Sequence, residues 1–335
     1  MERILIRTGD AVVSEIRIGA DVLGANLLPM RESRRRVAIV TQPSANAVAM
    51  KSAAILEEED REAAVRILPD REAAKTLSIA EECFLWMNEL ELTRSDTLLA
   101  VGGGAATDVG GFVGATYLRG IETVLVPTTM LAAVDAAIGG KTAVNVGGKN
   151  LAGVFSHPAR VLVSTAILED LPHDLLVEGS AEAVKAGFIA DVGLMELYEE
   201  HGLAAPISEV VTRAIRVKAD VVNDDFTEQG RRAVLNYGHT VGHAIEHVAK
   251  IPHGHAVAIG MVAAGAASAE VAGFDGAERQ KQLIDKLELP VVAPEVDPAE
   301  IRAAINLDKK RDESGLRMVL LETFGKPIVV TVDPT

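Results

Sequence analysis

The chain has 335 residues, 48% of them hydrophobic and only 3% aromatic, so it can bury a large aliphatic core shared by two domains. A formal charge of −15 argues against nucleic acid and anionic membrane surfaces as partners, while leaving room for a local basic pocket. One cysteine, Cys83, allows no internal disulfide, and the opening MERILIRTGD lacks an apolar signal core, so a cytoplasmic protein is expected.

In chain order, apolar runs bounded by turn residues predict buried strands at Val37–Thr41, Ala64–Leu68, Thr97–Val101 and Thr123–Val126. Helical patterns at Ala45–Glu58, Arg71–Leu90 and Ala105–Leu118 lie between them, a β-α-β rhythm that implies a parallel sheet covered by helices. Beyond about Leu168 the pattern is helical: Leu175–Ile189, Ile207–Asn223, Leu235–Val248, Ala256–Val271 and Ala299–Leu307, with a short extended piece at Arg317–Leu321. The expected division is an α/β half, residues 1–165, and a mostly α-helical half, residues 166–335. The apolar stretch Ile251–Ala269 is interrupted by Pro252, His253 and His255, leaving too short a run to span a bilayer. The triplet Arg34–Arg36 reads as a solvated turn.

Three stretches carry chemistry. Gly102-Gly103-Gly104-Ala105-Ala106-Thr107-Asp108 follows a strand and opens a helix, where free backbone amides and the helix dipole suit a pyrophosphate; a plain tight turn has the same composition. Asp135 to Lys141 and then Gly147-Gly148-Lys149-Asn150 place two lysines and an amide on glycine-rich backbone, suited to phosphate, or to an ordinary surface loop. Arg119, Thr128 and Thr129 fall in the same region. Five of the eight histidines lie between 239 and 255, and His239, His243 and His247 share one helix face, spacing that lets two imidazoles meet one metal or serve acid–base chemistry. Glu182 and Lys185 stand three apart among apolar residues; Lys218, Glu228, Arg232 and Asn236 are further charged or polar groups beside apolar patterns.

Together the segments GGGAATDVGGFVGATYLRGI (102–121), VPTTMLAAVDAAIGGKTAVNVGGKN (126–150), EGSAEAVKAGFI (178–189), LNYGHTVGHAIE (235–246), HGHAVAIGM (253–261) and DKKRDESGLRMVLL (308–321) resemble the 3-dehydroquinate synthase family of sugar-phosphate cyclases. The resemblance implies a Rossmann-like NAD-binding domain followed by a helical metal- and substrate-binding domain. It also implies a homodimer that uses NAD and a divalent metal, zinc or cobalt. The substrate would be 3-deoxy-D-arabino-heptulosonate 7-phosphate and the products 3-dehydroquinate and phosphate, a lyase step of the shikimate pathway in aromatic amino acid biosynthesis. By the same matching the metal falls to Glu182, His239 and His253, whereas spacing alone pairs His239 with His243. Cofactor contacts fall to Gly102, Gly103, Gly104, Asp108, Thr128, Thr129, Lys141 and Lys149. Catalytic roles fall to Lys185, Lys218, His243, Asp135 and Glu228. Substrate contacts fall to Arg119 (from the second subunit), Lys141, Asn150, Arg232, Asn236 and Lys310, with Arg232 matching a carboxylate.

Relatives of this kind place an acidic residue where this chain has His255, and Asp or Asn near Gln42-Pro43-Ser44; the VNVGGKN segment is also slightly short. Rival expectations are another cyclase (2-deoxy-scyllo-inosose, 2-epi-5-epi-valiolone or aminodehydroquinate synthase) and a glycerol-dehydrogenase-like oxidoreductase. The first two of these cyclases act on substrates without a carboxylate, and the oxidoreductase would release NADH.

Overall fold

Burial on both faces is what turns the aliphatic runs into inner strands of one sheet. The computed structural model describes residues 1–24, 27–29, 36–309 and 316–332, which form two compact units, Met1–Leu171 and Pro172–Thr335.

The first unit opens with an antiparallel hairpin, β1 (Glu2–Thr8) and β2 (Ala11–Gly19). It continues through β3 (Arg36–Thr41), α1 (Asn46–Glu58), β4 (Glu62–Ile67), α2 (Leu77–Glu89), β5 (Thr97–Gly102), α3 (Gly104–Thr116) and β6 (Glu122–Pro127). A small hairpin, β7 (Lys141–Val144) with β8 (Ala152–Phe155), precedes β9 (Arg160–Ser164) and α4 (Thr165–Glu169). The seven-stranded sheet has the order β1-β2-β9-β6-β5-β3-β4, parallel except for the β1–β2 pair. Every residue of β5 and β9 is buried, whereas at the sheet edges β1 is largely exposed and β4, expected from Ala64–Leu68 to be buried, is only half-buried because it has a neighbour on one side alone. Ala49, Ala53 and Leu56 of α1 join Ile39, Leu99, Val101, Val124 and Val126 in one aliphatic core.

The second unit comprises α5 (His173–Ile189), α6 (Val192–His201), α7 (Ile207–Asp224), α8 (His239–Ala249), α9 (His253–Ala272), α10 (Ala277–Lys286) and α11 (Pro298–Lys309), closed by the hairpin β10 (Leu316–Thr323) and β11 (Lys326–Val332). Helix α9 is its central element, packed against α5, α8, α10 and β10. It is also the one helix among the described residues long and apolar enough to cross a membrane, and half of it is buried inside the protein.

Two helical patterns break where local chemistry dictates. Arg71–Leu90 divides into a short 3-10 turn, Arg71–Ala74, and α2, because Thr76 is extended and its side chain accepts from the Ile79 amide as an N-cap. Leu235–Val248 divides at Gly238, whose φ of 80° ends the 3-10 turn Arg231–Asn236 and starts α8 one residue later.

Close backbone contact fixes α9 against its neighbours. A Cβ at Gly254 would lie 2.1 Å from the Glu178 carbonyl oxygen on α5, and one at Gly260 would lie 2.0 Å from the Gly238 carbonyl oxygen before α8. Because backbone atoms line both contacts, no side chain can move aside. Gly260→Ala is expected to lower the unfolding free energy by about 3 kcal/mol, at the upper end of overpacking costs, read from urea denaturation; an unchanged midpoint would contradict this packing.

Candidate metal and nucleotide sites

In the first unit the chemistry gathers at the carboxyl ends of β5 and β6, where open α/β sheets bind ligands. These strands pair in register, Gly102 opposite Pro127, so the Gly102–Gly104 turn lies beside Thr128 and Thr129. The Thr128 amide donates to the Gly102 carbonyl at 2.9 Å. Gly102 has φ 154°, and a Cβ there would strike Ala106 at 2.6 Å, so the turn demands glycine. Gly103 caps α3, leaving the first-turn amides of that helix available to an anion.

Asp108 sits one turn into α3 and accepts from the Lys75 ammonium at 2.6 Å. Lys75 is 2% exposed and also donates to the Asn150 side-chain oxygen at 2.5 Å. Burial pushes the Asp108 carboxyl up to about 6, with Lys75 opposing the rise. Sequence spacing missed Lys75, which ties the glycine turn's helix to the β7–β8 connection. Asn150 itself takes a left-handed φ of 58°, and its amide donates to the Asn145 side chain at 2.8 Å.

Lys141 opens β7 opposite Phe155, at the far end of the hairpin from Lys149 and Asn150 in the connecting turn. Asp135 lies in a π-helical turn, Ala132–Ala136, and its charge reaches Asp108. Thr129 accepts the Ala132 amide at 3.2 Å, capping that turn. Arg119 is exposed within three successive left-handed residues, Leu118, Arg119 and Gly120. Gln42 is buried, and its amide nitrogen donates to the Pro69 and Arg71 carbonyls at 2.8 and 3.0 Å.

The second unit brings Glu182 of α5, His239 at the start of α8 and His253 at the start of α9 together. Their ligand atoms all lie within 4.8 Å of one another. Glu182 Oε1 stands 3.4 Å from His239 Nε2 and 3.7 Å from His253 Nε2, and this buried oxygen accepts no hydrogen bond. The other oxygen, Oε2, pairs with the Lys185 ammonium one turn along α5. Burial alone would raise the Glu182 carboxyl, but the Lys185 charge, followed by His239, holds it well below the usual carboxylate range. Burial and Lys185 hold His239 well below the usual imidazole range. For His253 burial is outweighed by Glu182 and Glu246, which lift it to about 9. An unbonded, buried carboxylate oxygen facing two imidazole nitrogens is a donor set that fits a divalent cation of the zinc or cobalt type.

His243 is exposed, its ring 5.1 Å from that of His239 and 5.9 Å from that of His253. It belongs to a second close group, His243, Glu246 and His253, whereas His255 is in neither of the groups found among the described residues. Glu228 has a left-handed φ of 60° and accepts from the Asn236 side chain at 2.8 Å. Arg232 is 1% exposed, and its Nη1 donates to the Phe226 carbonyl at 2.5 Å. Lys218 is buried on α7. Lys310 lies outside the described residues. Glu246 and the Tyr237 carbonyl, which meet the His253 and His239 imidazoles from behind, were not anticipated from sequence; the clue was that Glu246 stands seven residues after His239, on the same helix face.

Residues 65–178 match the 3-dehydroquinate synthase N-terminal family, and residues 179–311 match the 3-dehydroquinate synthase C-terminal family. The chain is 41% identical to a 3-dehydroquinate synthase of Saccharopolyspora erythraea, over 97% of this chain and 91% of the relative. It is 39% identical to that of Corynebacterium jeikeium, with the same coverages. Among solved structures, a 2-deoxy-scyllo-inosose synthase complexed with carbaglucose-6-phosphate, NAD+ and Co2+ superposes with TM-score 0.90 at 26% identity, covering 99% of this chain and 97% of that one. The 2-epi-5-epi-valiolone synthase of Streptomyces hygroscopicus subsp. jinggangensis, with NAD+ and Zn2+ bound, gives 0.86 at 26% identity, covering 97% and 94%. A glycerol dehydrogenase of Schizosaccharomyces pombe, TM-score 0.64 at 15% identity over 91% of this chain and 84% of that one, shares the fold.

Two outcomes follow from the electrostatics. Lys75→Met removes the countercharge of buried Asp108 and is expected to lower the unfolding free energy by about 3 kcal/mol at pH 8. Near pH 5 the loss should be smaller, because Asp108, raised to about 6, is then mostly protonated; equal losses at the two pH values would contradict the pairing. In the metal-free protein, His253 is raised from 6.5 to about 9, so its stabilising contribution is complete below pH 6.5 and disappears as pH rises through about 9. Across that window His239 stays neutral and Glu182 charged. Thermal melting of stripped protein should therefore show a falling midpoint from pH 6.5 to 9, and Zn2+ should abolish the fall by replacing the proton.

Proposed function

The chain belongs to the 3-dehydroquinate synthase family, and from that premise we propose that it converts 3-deoxy-D-arabino-heptulosonate 7-phosphate to 3-dehydroquinate and phosphate in the shikimate pathway. The observation that carries this reading is identity of 39–41% to 3-dehydroquinate synthases over nearly the whole chain, against 26% to cyclases that make other rings. It works with NAD and a divalent metal, as do those cyclases in their solved complexes; the family resemblance extends the reading to a homodimer acting in the cytoplasm.

The first unit binds NAD and supplies some of the substrate contacts; the second binds the metal and supplies the others. Glu182, His239 and His253 would hold the metal. When bound, the metal stabilises developing negative charge on oxygen as a Lewis acid, and NAD provides a reversible hydride acceptor. Gly102–Gly104, with Thr128 and Thr129 beside them, offer backbone amides and hydroxyls to the NAD phosphates; Asp108, Lys141 and Lys149 add polar contacts.

Protein groups do the rest of the work. Lys185 keeps Glu182 ionised and presents its ammonium next to the ligand set, where it stabilises negative charge on the substrate. His243, exposed beside both ligand imidazoles, exchanges a proton with a substrate hydroxyl through a ring nitrogen. Lys218 and Asp135 contribute further charge, and Glu228 orients the Asn236 amide toward substrate oxygens. Arg232, anchored by the Phe226 carbonyl, supplies a fixed positive charge for the carboxylate that distinguishes this substrate from those of the inosose and valiolone cyclases. Asn150, Lys141 and Lys310 take the phosphate, joined by Arg119 of the second subunit.

Purified protein given NAD, Co2+ or Zn2+ and the heptulosonate phosphate should release inorganic phosphate and 3-dehydroquinate in equal amounts, with no net NADH. Accumulating NADH, or phosphate without 3-dehydroquinate, would overturn this assignment. Glu182→Ala is expected to lower turnover at least about 100-fold, since loss of an inner ligand should exceed the cost of losing an outer one.

A further inference from the structure

Helix α8 carries His239, His243 and Glu246 at positions i, i+4 and i+7, a single stripe along one face. The chain reverses after Ala249 through left-handed Lys250, φ 54°, and Pro252 admits α9 with His253 as its first residue. That reversal lays the His253 ring against the stripe, 5.5 Å from the His239 ring. His253 then has a different acidic group on each side. Its Nε2 faces Glu182 Oε1, and its Nδ1 lies 2.9 Å from Glu246 Oε2.

A carboxylate can only accept, so His253 Nδ1 carries a hydrogen toward Glu246, and the proton that Nε2 holds toward Glu182 in the metal-free protein is the one an ion displaces, leaving that lone pair for the metal. His239 is arranged in parallel: its Nδ1 lies 3.2 Å from the Tyr237 carbonyl oxygen, which also only accepts, and its Nε2 faces the same Glu182 oxygen. The two imidazoles are thus set in one tautomer by different partners, a neutral carbonyl for one and a carboxylate for the other. A carboxylate behind an imidazole makes the far nitrogen a stronger donor to a metal and fixes the ring plane.

We propose that Glu246 is a positioning residue of the metal site, holding His253 in the Nδ1–H tautomer so that Nε2 is presented to the ion held by Glu182 and His239. This rests on the reading that Glu182, His239 and His253 hold the metal. Glu246 acts through His253 and does not touch the ion. The competing arrangement, in which Glu246 is itself a ligand with His243 and His253, uses the other close group and makes opposite demands on Glu182 and His243.

The test uses the full chain stripped of metal, with Zn2+ affinity from competition against a chromophoric chelator and the visible spectrum of the Co2+ form. Glu246→Ala is expected to weaken Zn2+ binding about 10- to 100-fold and to change the Co2+ bands. Glu246→Gln, whose amide oxygen can still accept from Nδ1, should lose less. His243→Asn should bind Zn2+ as tightly as the parent, and Glu182→Gln should bind far more weakly. Parental affinity and Co2+ spectrum in both Glu246 variants would overturn the inference while leaving the ligand assignment standing. Parental affinity in Glu182→Gln would overturn the ligand assignment itself. If Glu246→Ala fails to fold, Glu246→Leu, which fills the same space and cannot accept from Nδ1, decides the question by the same affinity and spectrum.

Discussion

A negative charge inside a helical core is the constraint on which the second unit is built. Glu182 is 3% exposed, and an isolated carboxylate there would cost several kcal/mol or take up a proton. Lys185 answers one of its oxygens and the other is left to two imidazoles, so the site is stable only where α5, α8 and α9 meet closely. Gly254 and Gly260 allow that approach by bringing backbone against backbone where any side chain would intrude. The helical packing and the donor set are therefore one requirement seen from two sides. Without the glycines Glu182, His239 and His253 stay apart, and without countercharge the carboxylate is not tolerated.

The first unit meets a comparable demand with other means. Its strands end in a row, and the in-register pairing of β5 with β6 is what lays Thr128 and Thr129 beside the glycine turn. Buried charge recurs in the Lys75–Asp108 pair, which also captures the Asn150 side-chain oxygen. That bond fixes which way the Asn150 amide faces, so its NH2 group is turned away from Lys75 and is available as a donor. Each unit thus uses a lysine within a helical or loop framework to keep an acidic group charged at the place where chemistry is proposed.

Much of this was legible in the chain. Aliphatic runs such as Thr97–Val101 and Thr123–Val126 announced the inner strands, since only a strand covered on both faces lacks polar alternation. The family resemblance placed Glu182, His239 and His253 in one ligand set, whereas helical spacing alone paired His239 with His243. Spacing compares residues along a single helix; His253 arrives from the next helix after a three-residue reversal, which periodicity cannot detect. The same limit hid Lys75, whose partners are 33 and 75 residues away. Short or half-exposed elements also escaped: β9 has five residues, the β1–β2 hairpin carries many polar positions, and of the β10–β11 hairpin only Arg317–Leu321 within β10 read as extended. Arg232 read as a charged group near an apolar pattern, and its nearly complete burial comes from the 3-10 turn Arg231–Asn236.

The ligand set is tested most directly by anomalous diffraction at the zinc edge from crystals of the Zn2+-loaded protein. The account predicts one strong peak per chain within about 2.2 Å of a Glu182 carboxylate oxygen, His239 Nε2 and His253 Nε2. A peak on His243 and Glu246, or one remote from Glu182, would contradict it.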